Sequence, residues 1–265
     1  KNLAEVQRQM DKSVERLSSG KRINNAEDDA AGSAISGRME SQIRGLTMGI
    51  RHAKDGQSLV GTSEGAMQEL NKILQRMREL AVQSASGVAS SSDRDYLDLE
   101  MTQLFNEINS ISNNTKFNDQ RILTGATFTF YTDSDVAGTA ITTVAASASA
   151  QNLLVSVTSV DISSVTSNTS TTGVQAAITQ IDSALSVVDN RRAALGAVSN
   201  RFDHIIDNLQ NVVMNTVQSQ SRIVDADFSV ETTNLTRNTV LQQAATSMLA
   251  QANAQKNSIL ALIQQ

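Results

Sequence analysis

The chain has 265 residues with 22 basic and 27 acidic side chains, a net charge of −5 and a pI near 5.1; this argues against nucleic acid as the main partner, because phosphate binding needs a basic surface. There is no cysteine, which removes disulfide frameworks, thiolate-bound zinc and thiol nucleophiles together. There is no proline and no tryptophan, with six Phe, two Tyr and 40% apolar residues; that composition suits long uninterrupted helices, since interior proline breaks them, and a thin bundle filled by Leu, Ile, Val, Met and Ala needs few aromatic rings.

The first predicted element is a helix over 1–19. Its seam runs Leu3, Val6, Met10, Val14 and Leu17, in the alternating short steps of a coiled-coil face. Lys12, Arg16, Lys21 and Arg22 are interleaved with Asp11 and Glu15, the pattern of a solvated helix face. Ser18-Ser19-Gly20 interrupts the helix, so a turn is expected over 18–27. A second helix is expected from Glu27 or Asp28, with its acids placed at the positive end of the helix dipole. The series Ile43, Leu46, Ile50, Ala53, Val60, Met67, Leu70, Leu74, Met77 and Ala81 carries this helix past glycines at 45, 49, 56, 61 and 65. Each glycine weakens an isolated helix by about 1 kcal/mol relative to alanine, so packing must hold the segment, and the small residues permit close helix approach. Ser84–Ser92 reads as a loop. Asp93 then precedes Tyr96, Leu97, Leu99, Leu104, Ile108 and Ile111, and Asn113-Asn114 closes that helix.

After Phe117 the period changes to two. Phe128-Thr-Phe-Tyr-Thr132 reads as a strand, with Ala140–Val144 and Leu153–Val160 as further strand candidates. Residues 156–173 hold eleven Ser or Thr in eighteen positions, an exposed polar edge or loop. Helix resumes at Val174 and runs to about Ser219. Its seam is Ile181, Leu185, Val188, Leu195, Val198, Phe202, Ile205, Leu209 and Val212, followed by Val217. Arg191-Arg192 occupies a place where an apolar residue is due, so a register break is expected there. The last segment, Ile223–Gln265, presents Leu235, Leu241, Ala245, Met248, Leu249, Ala252, Ile259 and Ile263, a face apolar enough to need partner helices. The expected fold class is mainly α: a long antiparallel coiled-coil-like helical rod with a small β-hairpin region in the middle of the chain. No 18-residue apolar run exists, so no membrane span is expected, and no cleavable signal peptide is recognisable.

Candidate chemistry is thin. His52 and His204 are the only histidines, and no His-Glu-x-x-His run is present. Glu27-Asp28-Asp29 lacks the alternating ligands of a calcium loop, so helix-start acids are the better account. Gly20-Lys21 lacks the glycine that opens a phosphate loop, and no Ser/His/Asp arrangement stands out. No catalytic residue, metal or cofactor is assigned, and the chain is not expected to be an enzyme.

Several strings carry a resemblance. Glu15-Arg-Leu-Ser-Ser-Gly-Lys-Arg-Ile-Asn, Ala26-Glu-Asp-Asp-Ala-Ala-Gly, Leu74-Gln-Arg-Met-Arg-Glu-Leu-Ala-Val-Gln-Ser84 and Thr115-Lys-Phe-Asn118 are similar to the N-terminal block of bacterial flagellins. Ser221-Arg-Ile-Val-Asp-Ala-Asp-Phe and Ser247-Met-Leu-Ala-Gln-Ala-Asn253 resemble the family's C-terminal block. The likeness covers about 1–125 and 174–265 and leaves the middle uncovered.

The resemblance implies a structural subunit of the flagellar filament that polymerises through its terminal helices for motility. It implies a remnant filament-core segment at 1–28, the N-terminal half of a helical rod domain at 29–125, and a short variable β-rich region at 126–173. The C-terminal rod helix would then be 174–222 and the C-terminal filament-core helix 223–265. Implied partners are other flagellin subunits and the flagellar export and capping machinery, with an extracellular place on the flagellum or cell surface and export without a cleaved signal. Family members usually carry further residues before the equivalent of Lys1, so the chain as written is expected to be monomeric. In many flagellins the positions matching Gln75, Arg76, Leu80, Gln83 and Glu100 contact an innate immune Toll-like receptor. Here an exposed Leu80 beside Arg76 would form the contact spot, with subunit packing as the other use of the same residues. The Ser/Thr block at 156–172 is a candidate for O-glycosylation or a plain solvated loop. The competing role is a cell-surface adhesin holding surface glycans, which some flagellins do.

Overall fold

The computed structural model describes residues 2–125, 127–132, 140–144 and 171–263. Among these are five helices: α1 (Asn2–Ser19), α2 (Ala30–Ser84), α3 (Ser91–Asn114), α4 (Thr171–Val224) and α5 (Phe228–Ile263). Strands β1 (Lys116–Phe117) and β2 (Gln120–Arg121) pair antiparallel, as do β3 (Thr127–Tyr131) and β4 (Ala140–Val144). The fold is therefore mainly α with a small antiparallel hairpin region in mid-chain. The expected strand at Leu153–Val160, most of the Ser/Thr-rich block, and the side chains of Ile259 and Ile263 lie outside the described residues. The chain forms two compact units, Lys1–Arg44 with Val212–Gln265, and Gly45–Asn211. Helices α2 and α4 each contribute to both.

In the Gly45–Asn211 unit the core is a heptad seam. Helix α2 buries Ala53, Val60, Met67, Leu74 and Ala81, each seven residues after the last, with Leu70 and Met77 in the neighbouring column. Helix α4 buries Val174, Ile181, Val188, Leu195, Phe202 and Leu209 at the same interval. A strict seven-residue repeat keeps one stripe of a helix facing its partner. Polar ties flank the seam: Gln57 Nε2 donates to Asp203 Oδ1 at 2.7 Å, Asn71 Nδ2 to Asp189 Oδ1 at 2.9 Å, and Arg78 Nε to Asp182 Oδ1 at 2.7 Å. Residue numbers rise along α2 as they fall along α4, so the two helices run antiparallel. The register break expected at Arg191-Arg192 does not occur. The seven-residue burial passes from Val188 to Leu195 without interruption. Both arginines are half-buried, and the Arg192 guanidinium lies 3.7 Å from Glu64. A long aliphatic stem can occupy a seam layer with its charged end at the margin, and the Arg192 side chain is 33% exposed.

The connection into α2 also differs from expectation. The helix starts at Ala30, past all three acids. Asp29 Oδ1 accepts from the Gly32 N–H at 2.9 Å, and Asp28 Oδ2 accepts from the N–H groups of Asn24 and Asn25 at 3.1 and 3.2 Å. A carboxylate satisfies a free N–H more directly as a cap outside the helix than as a charge inside its first turn. Asp93 behaves in the opposite way. It lies inside α3 and forms a capping box with Ser90, and the hydroxyl and N–H of Ser90 hold its carboxyl below the usual range.

The sequence reading missed the β1–β2 hairpin. Its two-residue turn is Asn118-Asp119, with φ of 49° and 61°, the left-handed pair that a tight hairpin requires. The Asn-Asp dipeptide between Phe117 and Gln120 was the available signal. At the end of β3, a Cβ on Gly49 would lie 2.7 Å from the Thr132 carbonyl oxygen, so α2 and the strand approach as closely as backbone allows.

Candidate assembly and receptor-contact surfaces

In the Lys1–Arg44/Val212–Gln265 unit, α1 pairs with α5. The expected α1 seam placed Val14 inward. In the folded chain Val14 is 49% exposed and Ser13 is 5% exposed, so the seam runs Val6, Met10, Ser13, Leu17, and Leu3 lies outside it. The apolar-only pattern chose the wrong neighbour because the inward position is polar. Ser13 Oγ donates to Glu231 Oε2 at 3.1 Å, and Arg16 Nη1 donates to Glu231 Oε1 at 2.8 Å. Further along, Gln242 Nε2 donates to Gln7 Oε1 at 2.6 Å. At the other end the Arg22 N–H bonds the Val224 carbonyl at 2.6 Å and the Ala226 N–H bonds the Gly20 carbonyl at 3.0 Å. Outside this polar seam, Leu3 and Val14 on α1 and Phe228, Val230, Val240, Leu241, Met248 and Leu249 on α5 are exposed.

The turn between α1 and α2 carries an ionic latch. Lys12 Nζ lies 2.6 Å from Asp28 Oδ1. That contact, with the N–H groups of Asn24 and Asn25, holds the Asp28 carboxyl at about 2, below its ordinary 3.8. A lowered carboxylate pKa adds stability that is fully present above the ordinary value and fades as pH falls through the folded one. The stability difference between the native chain and Asp28→Asn is therefore expected to be constant above pH 5 and to vanish toward about pH 2. Denaturant unfolding of both proteins across that range measures it; a difference unchanged at low pH would show that the latch is not ionic.

The five positions matched to the receptor contact do not share one surface. Gln75, Arg76, Gln83 and Glu100 are exposed, but Leu80 is 0% exposed and belongs to the core. The expectation of an exposed Leu80 is thus overturned. It lies three residues after the buried Met77 and beside Ala81, on the inward stripe of α2. Arg76 Nε donates to Glu100 Oε1 at 2.9 Å, and Arg76 Nη1 to Glu79 Oε2 at 3.1 Å. These acids, Glu100 first, raise the Arg76 pKa above its usual value. Gln75 Nε2 donates to Asn71 Oδ1 at 2.7 Å. The seam of α3 is half-buried Leu97, Leu104 and Ile111 with buried Met101 and Ile108, which leaves Tyr96 and Leu99 off the seam at 71% and 62% exposure. Both belong to the apolar series expected of α3, and the fold turns them out to solvent.

Of the α4 seam, Ile181, Val188, Leu195, Phe202 and Leu209 are buried, while Leu185, Val198, Ile205 and Val212 are half-buried. His52 and His204 are exposed. No group of three potential metal ligands occurs among the described residues, and no described helix is long and apolar enough to cross a membrane.

Comparison with known proteins gives a consistent result. The model of the bacterial flagellin N-terminal helical region matches residues 1–127, and that of the C-terminal helical region matches 178–263. A flagellin of Halalkalibacterium halodurans is 42% identical over 258 residues, covering 95% of this chain and 91% of the relative. A flagellin of Bacillus subtilis is 38% identical over 282 residues, covering 95% and 92%. A solved chain assigned to the flagellar hook-associated proteins of Vibrio parahaemolyticus superposes with a TM-score of 0.66, covering 75% of this chain and all of that one. Its 14% identity bears on the fold alone. With both helical regions matched and full-length relatives sharing nearly the whole span, the chain belongs to the bacterial flagellins, the structural subunits of the flagellar filament.

Proposed function

We propose that this flagellin assembles by burying the exposed apolar residues of α1 and α5 against the same helices of neighbouring copies. The observation that carries this is the set Phe228, Val230, Val240, Leu241, Met248 and Leu249, all exposed on one terminal helix. Monomeric proteins seldom leave so much apolar surface in water without a partner. On this reading the segments 1–28 and 223–265 line the filament core, 29–125 and 174–222 form the shell around it, and 126–173 faces outward. The protein works outside the cell, reached through the flagellar export and capping machinery without a cleaved signal, and does no catalysis. Nothing among the described residues or the relatives favours the adhesin alternative. The test is a double change, Val240→Asp with Leu241→Asp, made in the flagellated organism. Normal helix content in the purified chain, with filaments lost in electron microscopy, is expected. Filaments of ordinary length would overturn the reading.

The second part concerns the α2–α3 surface. Arg76, Gln83 and Glu100, with Gln75 beside them, form the polar element of a protein contact, used for a Toll-like receptor and for subunit packing. Exposed Leu99 and Tyr96 provide its apolar element in place of Leu80. Arginine and tyrosine are the side chains that most often dominate such contacts.

A further inference from the structure

We propose that Glu231 fixes the register in which α1 pairs with α5, and so decides which apolar residues of the two helices form a common outer face. Glu231 is 6% exposed, the one buried acidic side chain among the described residues. It is satisfied only in the present alignment, by Ser13 Oγ at 3.1 Å and Arg16 Nη1 at 2.8 Å. Apart from the neutral Gln7–Gln242 bond, the rest of the α1 seam, Val6, Met10 and Leu17, is apolar and nearly interchangeable from layer to layer. Sliding α1 by a heptad puts Val6 or Gly20 where Ser13 stands and Gln9 or Ile23 where Arg16 stands. In each case Arg16 moves by about 5.4 Å or more per turn of slip, and the carboxylate is left in the interior without its donors. Removing the partner of a buried charge is strongly unfavourable, whereas replacing the whole group by an apolar one is often neutral. A buried polar group of this kind therefore contributes little net stability and a large preference for one alignment. The bonds of Arg22 and Ala226 to Val224 and Gly20 tether one end of the pair but leave the length of α1 to be aligned by its seam. The proposal rests on the assembly reading only for its consequence; the register itself is measured on the free chain.

The absence of native cysteine gives a clean probe. Gln7→Cys is combined with Gln242→Cys, which face each other in the present register, or with Leu235→Cys or Leu249→Cys, one heptad to either side. Each pair is oxidised in the dilute protein, and intramolecular links are read by mass. In the otherwise native chain the 7–242 link is expected to exceed the slipped links by about tenfold or more. Glu231→Leu is expected to bring the three yields close together with helix content retained; the melting temperature falls, because Arg16 keeps its charge and loses its partner. Glu231→Gln, whose one carbonyl oxygen can accept from Arg16 while its amide N–H donates to the Ser13 hydroxyl oxygen, is expected to restore the single register. Ser13→Ala with Arg16→Met removes the donors instead of the acid and is expected to scramble the register as Glu231→Leu does. Exclusive 7–242 linking in both Glu231→Leu and the double variant would show that the turn tethers alone set the register and would overturn the proposal. Loss of every link in both variants would also overturn it, because Glu231 would then be required for pairing and not for alignment.

Discussion

Replacing Phe202 by alanine is expected to lower the stability of the Gly45–Asn211 unit by about 3–5 kcal/mol, the cost of emptying a buried phenylalanine site in a core that collapses only partly. The ring is fully buried and meets Phe130 edge-on, with centroids 5.9 Å apart and planes at 87°. It sits in a notch made by Gly56, where an added Cβ would come within 2.6 Å of the ring. Helix α4, helix α2 and strand β3 thus share one anchor. The notch predicts a sharper contrast. Gly56→Ala gains about 1 kcal/mol of helix propensity but must push the ring aside, at about 1–3 kcal/mol, so a net loss is expected. Gly61→Ala, one turn and a little further along the same helix, meets nothing within 4 Å and is expected to gain about 0.5–1 kcal/mol. Thermal or denaturant unfolding of the three variants reads all of this. Equal gains from Gly56→Ala and Gly61→Ala would mean that Phe202 does not occupy the notch.

Much of this architecture could be read directly from the residues. The α2 series from Ala53 to Ala81 and the α4 series from Ile181 to Leu209 are apolar at heptad spacing, and the folded chain buries them at that spacing. Alternation and β-branching point to a strand at Phe128–Thr132, and the folded strand, one residue earlier at Thr127–Tyr131, pairs with Ala140–Val144. What failed shares a physical cause. Periodicity counts apolar residues, so it misplaces an element whose inward position is polar. It prefers Val14 to Ser13, it reads Arg191-Arg192 as a break, and it puts the acids at 27–29 inside a helix that Asp29 caps from outside and that Asp28 precedes in the turn. It also fails where a helix carries apolar residues on two faces. Leu80, Tyr96 and Leu99 each fit some helical stripe, and only packing decides that Leu80 turns in while Tyr96 and Leu99 turn out. The Glu231 cluster was invisible for a further reason: its donors lie more than two hundred positions away in the chain.

Leu80→Ala is expected to lower stability by about 2–5 kcal/mol, because the side chain is fully buried in the α2 core column, and to affect receptor binding only through unfolding. Arg76→Ala and Glu100→Ala break an exposed ion pair, which contributes little to stability, and are expected to leave the melting temperature close to native. If the α2–α3 surface is the receptor contact, these two variants and Leu99→Ala should weaken binding while fully folded. A charged hot spot and its apolar neighbour commonly cost more than about 1 kcal/mol each at an interface, a loss of fivefold or more. Leu80→Ala should bind like the native chain at temperatures where circular dichroism shows it folded, and lose binding in step with helix content on warming. Measuring binding and helix content on the same samples separates the cases. A folded Leu80→Ala that fails to bind would place this leucine at the contact despite its burial, and a folded Arg76→Ala with native affinity would remove the polar half of the surface from the receptor site.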